Sequence, residues 1–273
     1  MTLEDGAVRR FRDFLGQSVP EPPPEGMWLG KYLLKREVAR GGMGIVFEAE
    51  DPKLKRRVAV KVLKETEAGA EEVARLHREA AIAAQLRHPN IVPIHEVGMV
   101  RDDADRCTHY IAMDFVDGRT FAAVVRDPAV ARGERLRMLE DVARAVAFAH
   151  SKGVVHRDLK PENVLVDTTG RVALTDFGLA RSESFQTRLT ASFTVMGTPA
   201  YMAPEQVKGL LPEVDARTDV YALGVMLYEA LVGKPPFQAD VPATLYDHIL
   251  HREPARPTEL DPSIERDVEV VCL

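Results

Sequence analysis

The chain has 273 residues, 45% of them hydrophobic and 29% charged, which is enough apolar material to bury the core of one large or two small lobes. Its formal net charge of −6 argues against a nucleic-acid-binding protein, because such proteins present clustered positive charge to phosphates. Cys107 and Cys272 are far apart in the sequence and predict neither a disulfide framework nor a zinc site, so we expect a cytoplasmic protein.

Residues 1–30 predict a leader and a proline-rich linker ahead of the folded part. Apolar residues recur at helical spacing between Val8 and Leu15, but one or two turns are marginal alone, so we favour a loosely held leader over a docking helix. Residues 20–24 predict an extended spacer. The sequence contains neither a secretory signal nor an apolar run of membrane-spanning length.

Short β-type runs begin at Lys31 and predict a small lobe over residues 31–116. One helix is expected at residues 70–87, because apolar residues there share a helical face. Five antiparallel strands are expected, at residues 32–38, 45–49, 57–62, 94–100 and 108–114.

Helical periodicity dominates beyond Gly118 and predicts a second, larger lobe over residues 117–273. Residues 217–232 are apolar on nearly all sides, so that helix should be central to its lobe. The predicted fold class is α+β and bilobal, with a small β-rich lobe that carries one helix and a larger, mainly α-helical lobe.

A short run at residues 156–163, His-Arg-Asp-Leu-Lys-Pro-Glu-Asn, places three functional groups on one loop. Asp158 can orient and deprotonate a hydroxyl, Lys160 can neutralise charge on a moving phosphoryl group, and Asn163 can hold a divalent metal. Any two of these residues alone would be typical of a solvated loop. The whole run fits the H-R-D-L-x-x-x-N pattern and predicts phosphoryl transfer.

Two segments of the small lobe suit the phosphates of a nucleotide. Residues 39–46 are glycine-rich and lie between the first two strands, where the backbone could close over phosphates, although glycines alone are more typical of a hairpin turn. Lys61 lies on an otherwise apolar strand, where an ammonium is costly unless anions meet it. Glu79, on the following helix, is the carboxylate that we expect to pair with Lys61.

A second metal-directed carboxylate is expected at Asp176, which begins the run Asp-Phe-Gly. Alone this run would indicate a turn, but it follows Asp158 by eighteen residues. Asp176 and Asn163 together could hold Mg²⁺ between phosphate oxygens.

In this order, and with Ala203-Pro204-Glu205, the motifs resemble a eukaryotic-like (Hanks-type) protein kinase over almost everything from Lys31 onward. Residues 40–44 and 197–206 are similar to its bacterial serine/threonine branch. The resemblance implies that Asp158 is the catalytic base, that Lys61 and Glu79 form an ion pair, and that Asn163 and Asp176 are metal ligands. It also implies an ATP pocket formed by Val38, Ala39, Gly41, Gly44, Val46, Ala59, Lys61, Met113 as gatekeeper, Asp114 and Val116 in the hinge, and Leu165.

The implied activity is transfer of the ATP γ-phosphoryl group to serine or threonine hydroxyls of proteins, with Mg²⁺ or alternatively Mn²⁺. Lys160, together with Thr198 in the substrate loop, is similar to the serine/threonine class. Because Arg157 precedes Asp158, the resemblance implies a phosphate switch, and self-association would permit trans-autophosphorylation. The preferred phosphosites are Thr190 and Ser192, with Thr194 behind them, whereas Ser182, Ser184 and Thr187 are as typical of ordinary polar loop residues.

Two departures from the family pattern stand out. Ala39 replaces the first glycine of the phosphate loop, from which we expect weaker nucleotide binding at most. The final helix of the family, with the arginine that pairs with the glutamate at Glu205, does not follow residues 262–273. We therefore expect a fragment with a weakened larger lobe, whose complete gene product could be membrane-tethered. A pseudokinase, or nucleotide-binding scaffold, is the alternative function, and a small-molecule phosphotransferase is a third.

Overall fold

The computed structural model describes residues 27–41, 44–63, 70–101, 107–177 and 199–273, without the side chains of residues 70–76 and 211. The chain divides into two compact units. The first is Met1–Gln85 with Pro93–Phe115, and the second is Leu86–Val92 with Val116–Leu273. Strands predominate in the first unit and helices in the second.

A six-stranded antiparallel sheet forms most of the first unit, in the order β1-β2-β3-β4-β6-β5. The five strands expected from the sequence are present. β1 is additional, and its two residues are too few for a periodic pattern. The helix α1 ends at Ala83 rather than at residue 87. The bounds are β1 (Trp28–Leu29), β2 (Tyr32–Arg40), β3 (Gly44–Asp51), β4 (Arg56–Leu63), α1 (Ala70–Ala83), β5 (Ile94–Arg101) and β6 (Cys107–Asp114).

The core of the first unit lies on one face of this sheet, because apolar side chains alternate along β3 and β4. Lys61 follows a core residue and so lies on the opposite face, although only 6% of it is exposed. Burial of this alternating set fixes the register of the strands, since a slip by one residue would expose all of it. The core set includes Tyr32, Ile45, Phe47, Val58, Val60 and Val62.

Helices make up most of the second unit, beside a three-stranded antiparallel sheet in the order β7-β8-β9. Among the described residues, no helix has the length and apolar character that crossing a membrane requires. The strands are β7 (Gly118–Thr120), β8 (Val164–Asp167) and β9 (Val172–Leu174), and the helices are α2 (Phe121–Arg126), α3 (Arg132–Ser151), α4 (Pro204–Val207), α5 (Ala216–Val232), α6 (Pro242–His251), α7 (Pro257–Leu260) and α8 (Arg266–Cys272).

The segment Leu86–Val92 groups with the second unit, although the sequence pattern placed it within the predicted small lobe. Its main chain bonds to β9: the Val92 N–H donates to the Leu174 carbonyl at 2.9 Å, and the Leu174 N–H donates to the Asn90 carbonyl at 2.8 Å. Only pairing distant in sequence produces this arrangement, so local periodicity could not predict it.

Helix α5 is the central helix that its apolar composition predicts. Asp215 caps its first turn by accepting from the Arg217 N–H, and Gly233 ends it in the left-handed conformation at φ 87°. Two charged residues, Asp219 and Glu229, are buried among its apolar side chains. Buried carboxylates require hydrogen-bond donors. The donors to Asp219 and Glu229 belong to the candidate site or lie next to it.

Candidate active site

The loop after α3 carries the three functional groups that the sequence singled out. Both oxygens of Asp158 contact the Lys160 ammonium, at 3.0 and 2.7 Å. Nδ2 of Asn163 donates to the Asp158 carbonyl at 2.7 Å and to its carboxylate at 3.1 Å. The structure therefore brings Asp158, Lys160 and Asn163 together around one carboxylate.

Asn163 is fixed in a short 3₁₀ helix, Pro161–Asn163, and is only 7% exposed. Because its amide nitrogen is committed to Asp158, its Oδ1 remains the group suited to a cation. The Thr175 N–H donates to the Asn163 carbonyl at 3.0 Å, and Asp176 follows directly. Carboxamide and carboxylate oxygens are the hard donors that Mg²⁺ prefers, so this pair fits a divalent metal that keeps water and phosphate ligands.

His156 connects the two loop segments from within the core, where it is completely buried. Its Nε2 contacts the Thr175 carbonyl at 2.9 Å, and its Nδ1 accepts from the Asp158 N–H at 3.3 Å. These partners assign the proton to Nε2. The imidazole also packs against Phe177, with ring centroids 4.7 Å apart. His156 thus holds the Asp158 loop and the Asp176 segment to each other.

Two residues at the site have left-handed backbones without being glycine: Arg157 at φ 68° and Asp176 at φ 67°. Such conformations cost roughly 1–3 kcal/mol and persist only where the surrounding structure imposes them. In the case of Arg157, the imposing contact comes from α5.

Asp219 on α5 accepts hydrogen bonds from the backbone of the loop. The sequence did not predict this role. Its Oδ2 accepts from the His156 N–H at 2.7 Å, and its Oδ1 accepts from the Arg157 N–H at 2.8 Å. His150 Nε2 lies 2.7 Å from Oδ2 as well. Asp219 is 1% exposed. A carboxylate among the apolar residues of this helix was the available signal, because such a residue must have donors brought to it by the fold.

Gln206 on α4 is a second residue that contacts this loop and that the sequence did not predict. Its Nε2 donates to the Arg157 carbonyl at 2.8 Å, and its Oε1 accepts from the Ala203 N–H at 3.0 Å. Beside it, Glu205 accepts from the hydroxyl of Thr218 at 2.5 Å. The Ala203–Glu205 motif is therefore linked by hydrogen bonds both to the loop that carries Asp158 and to α5.

A buried pair lies next to these contacts. The phenol of Tyr201 donates to Oε2 of Glu229 at 2.6 Å, and Glu229 is 4% exposed. Burial raises the pKa of the Glu229 carboxyl, and the hydrogen bond from Tyr201 opposes that rise. Burial also raises the pKa of the Tyr201 phenol, so the phenol remains a donor.

In the first unit, three of the residues assigned to nucleotide binding share one face of the sheet. Val46 pairs with Lys61 and Glu48 pairs with Ala59 across β3 and β4, so Val46, Ala59 and Lys61 are on the same side. Met113 and Asp114 lie at the end of β6, where Met113 pairs with Ala59. Glu79 lies on α1 with Oε1 buried, and its pairing with Lys61 stays a prediction.

The glycine-rich segment is described only in part, since residues 42 and 43 lie outside the described residues. The Gly41 N–H donates to the Gly44 carbonyl at 2.9 Å, which closes the connection between β2 and β3. A Cβ on Gly44 would stand 2.0 Å from the Val62 carbonyl, so β4 leaves room only for glycine there. Val38 and Ala39 are exposed on β2.

The remaining predicted residues are placed as follows. Leu165 lies on β8 opposite Ala173, and Val116 precedes β7; both belong to the second unit together with Asp158, Asn163 and Asp176. Lys61, Glu79 and the other assigned residues of β2 to β6 belong to the first. The phosphosites Thr190, Ser192 and Thr194 and the substrate-loop residue Thr198 lie outside the described residues.

Residues 32–270 match the family model described as the protein kinase domain. The serine/threonine-protein kinase PknA of Mycobacterium tuberculosis is 41% identical over 247 residues, which cover 89% of this chain and 57% of that kinase. PknB of Mycobacterium leprae, also a serine/threonine-protein kinase, is 38% identical over 246 residues, 89% of this chain and 39% of that protein. A probable serine/threonine-protein kinase of Streptomyces coelicolor is 40% identical over 250 residues, 89% and 36% respectively.

The chain belongs to the protein kinase domain family. The resemblance to bacterial serine/threonine kinases and the α+β, two-lobed fold class expected from the sequence are confirmed. The chain spans between about a third and little more than half of the length of these relatives. Because the relatives are named as kinases, the comparisons give no support to a pseudokinase. Family membership also implies use of ATP and of a divalent metal in general.

Proposed function

We propose that this chain transfers the γ-phosphoryl group of ATP to serine or threonine hydroxyls of protein substrates. The observation that carries the proposal is the convergence of the Lys160 ammonium and the Asn163 amide on the Asp158 carboxylate. A carboxylate held by two fixed donors is oriented before the substrate arrives, and positioning supplies much of the rate in phosphoryl transfer.

Each residue has a separate role in the proposed reaction. Asp158 orients the acceptor hydroxyl and takes its proton, while Lys160 neutralises charge that develops on the transferred group. Lys61 binds nucleotide phosphates, and Glu79 orients Lys61. Asn163 and Asp176 hold Mg²⁺ or Mn²⁺, which would neutralise phosphate oxygens when bound. The nucleotide itself is held by the separate residues that were assigned above to the ATP pocket, of which Val38 is the first and Leu165 the last.

Regulation by phosphorylation is a further part of the proposal. Arg157 would pair with a phosphate on Thr190, Ser192 or Thr194, with self-association of two copies supplying the donor kinase. Thr198 would help to place the acceptor segment. A cytoplasmic location, with tethering of a longer gene product to a membrane, is proposed from the sequence alone.

A transfer assay tests the proposal. The chain is incubated with labelled ATP, Mg²⁺ and a generic basic protein, and the label on serine or threonine is counted. Asp158→Asn should retain nucleotide binding and lower turnover by about 10² to 10⁴, the usual share of a general base. Asp141→Asn, an exposed substitution on α3, is the matched control and should leave turnover unchanged.

Two results would contradict the proposal in different ways. An unchanged rate for Asp158→Asn would remove Asp158 from the role of base. If the unmodified chain binds ATP tightly and transfers no label, the nucleotide-binding scaffold becomes the better description. Intact-mass analysis of the same samples reports autophosphorylation, and fragmentation locates the modified hydroxyls.

A further inference from the structure

A cavity of about 400 Å³ lies on the sheet of the first unit, and none of the residues assigned to catalysis lines it. Its volume is in the range of small-ligand sites. Strands β2, β3 and β4 line it, and the five cationic residues among the lining are Lys35, Arg36, Lys55, Arg56 and Arg57. Such a concentration of positive charge is unexpected in a chain with a net charge of −6.

The lining residues include two carboxylates beside these five cations, Glu48 and Glu50. Glu48 accepts from Nε of Arg36 at 2.7 Å and from Nε of Arg57 at 2.9 Å, so one carboxylate serves two guanidinium groups. Glu50 pairs with Lys35 at 3.0 Å. The lining therefore has an excess of three positive charges.

The other two cations have no carboxylate partner within the described residues. Arg56 directs Nη1 at the ring nitrogens of His95, at 3.2 and 3.4 Å, and its buried Nε has no hydrogen-bond partner in the described part of the chain. Lys55 is exposed in the turn before β4 and forms no ion pair with any described residue. Uncompensated charge beside a concave surface attracts an anion.

Two of the three guanidinium groups, those of Arg36 and Arg57, have partners that orient them without a ligand. Glu48 fixes Arg36 and Arg57 side by side, and the Arg57 guanidinium also lies over the ring of Phe115, 4.4 Å from its centroid. Fixed arginine forks lose less entropy on binding and match the geometry of phosphate oxygens.

The cavity is separate from the place proposed for the ATP phosphates. Arg57 and Lys61 are both on β4, four residues apart and on the same face. At roughly 3.3 Å per residue, their Cα atoms are about 13 Å from each other. None of the lining residues is among those assigned to the ATP pocket, so the two binding places use different side chains.

We propose that this cavity binds the phosphorylated side chain of a serine or threonine in a protein partner. A phosphomonoester carries about −1.5 to −2 charges at pH 7 and three acceptor oxygens, so it compensates most of the excess, whereas a carboxylate compensates one charge. A nucleic acid would require a longer basic track than one cavity. The site goes beyond the proposed transfer reaction, because it recognises phosphate groups that are already attached to protein.

Binding is measured by fluorescence anisotropy with a fluorescein-labelled, alanine-rich peptide that contains one phosphothreonine, in the absence of ATP. The same peptide with unmodified threonine is the reference. The phosphopeptide should bind at least about tenfold more tightly, and ADP added without divalent metal should not displace it. Since no transfer is required, failure of the proposed activity leaves this measurement intact.

Substitutions in the lining locate the site. Arg36→Gln with Lys55→Gln should weaken phosphopeptide binding by about tenfold or more, because two cationic side chains are lost. Lys53→Gln is the matched control: it removes an exposed lysine of the same turn that does not line the cavity, and it should change affinity by less than about twofold. Glu50→Gln should increase affinity, because it releases the Lys35 ammonium without removing a cation.

Three results would overturn the proposal. Equal affinity for the two peptides would show that the cavity does not read the phosphate. Equal weakening by Lys53→Gln and by the double substitution would indicate diffuse attraction only. If a single-stranded oligonucleotide displaces the labelled phosphopeptide at the same concentration as the unlabelled phosphopeptide does, the cavity is part of a general polyanion-binding surface. Thermal melting of each variant, together with the gain expected for Glu50→Gln, separates loss of binding from loss of folding.

Discussion

Oδ2 of Asp219 accepts the backbone N–H of His156 at 2.7 Å, across 63 residues of sequence. The other oxygen accepts from Arg157, so a buried carboxylate of α5 fixes the backbone that leads to Asp158. The shape of the loop that carries Asp158 is therefore set by the central helix of the second unit and not by the loop sequence alone.

Asp219→Asn should destabilise the chain and lower turnover together. An amide has only one acceptor oxygen for the two backbone donors, and leaving a buried donor unsatisfied costs about 1–3 kcal/mol. Displacement of the loop could lower turnover by up to about 10². Asp215→Asn on the same helix is the control, since asparagine is an equally good cap. Urea unfolding and the transfer assay give both quantities, and equal behaviour of the two variants would contradict the role of Asp219.

Gly44→Ala should destabilise the first unit by about 1–3 kcal/mol, because strands β3 and β4 must separate to admit the methyl group. The new Cβ would stand 2.0 Å from the Val62 carbonyl oxygen. Gly41→Ala is the matched control, since a Cβ there meets no described atom within 4 Å. Urea midpoints compare the two variants, and a Gly44→Ala protein as stable as Gly41→Ala would refute the close approach.

His109 should make stability fall as the pH is lowered from 7 towards 5. Its pKa in the folded chain is below the ordinary value of 6.5, chiefly because it is partly buried and secondly because His77 lies beside it. The rings contact through Nε2 of His77 and Nδ1 of His109 at 2.9 Å. The unfolded chain takes up a proton near pH 6.5 while the folded chain resists it, so stability is lost from about that pH downward.

Substitution of His109 by Gln should flatten this part of the pH profile of unfolding free energy. His251→Gln, which removes an exposed histidine on α6, is the control, and the change of slope in His109→Gln should exceed the change in this variant. An unchanged slope in His109→Gln would show that other groups produce the acid sensitivity.

Tyr201→Phe should cost about 1–3 kcal/mol at pH 7.5, because it leaves the buried Glu229 carboxylate without its donor. Burial already raises the pKa of Glu229, and loss of the phenol raises it further. A raised carboxyl pKa favours the folded chain at low pH, so the penalty should shrink as the pH falls towards 5. Tyr246→Phe on α6 is the control, since no described residue accepts from its hydroxyl. Thermal melting at both pH values measures the difference, and a penalty independent of pH would contradict it.

Local sequence determined the elements and the chemical groups of this protein. Alternating apolar residues specify β3 and β4, because one face must be buried, and continuous apolar character specifies α5 as a central helix. The eight-residue run at 156–163 brings Asp158, Lys160 and Asn163 within reach of one another, since so few residues separate them.

Tertiary structure decided which distant residues support those groups. Nothing local to Asp219, Gln206 or Glu205 shows which backbone or hydroxyl each would contact, because these partners come from other elements of the second unit. The grouping of Leu86–Val92 with β9 and the charge excess around Arg57 have the same origin. Hydrogen bonds and ion pairs between residues far apart in sequence form only after packing has brought their strands and helices together, so periodicity and motif spacing carry no record of them.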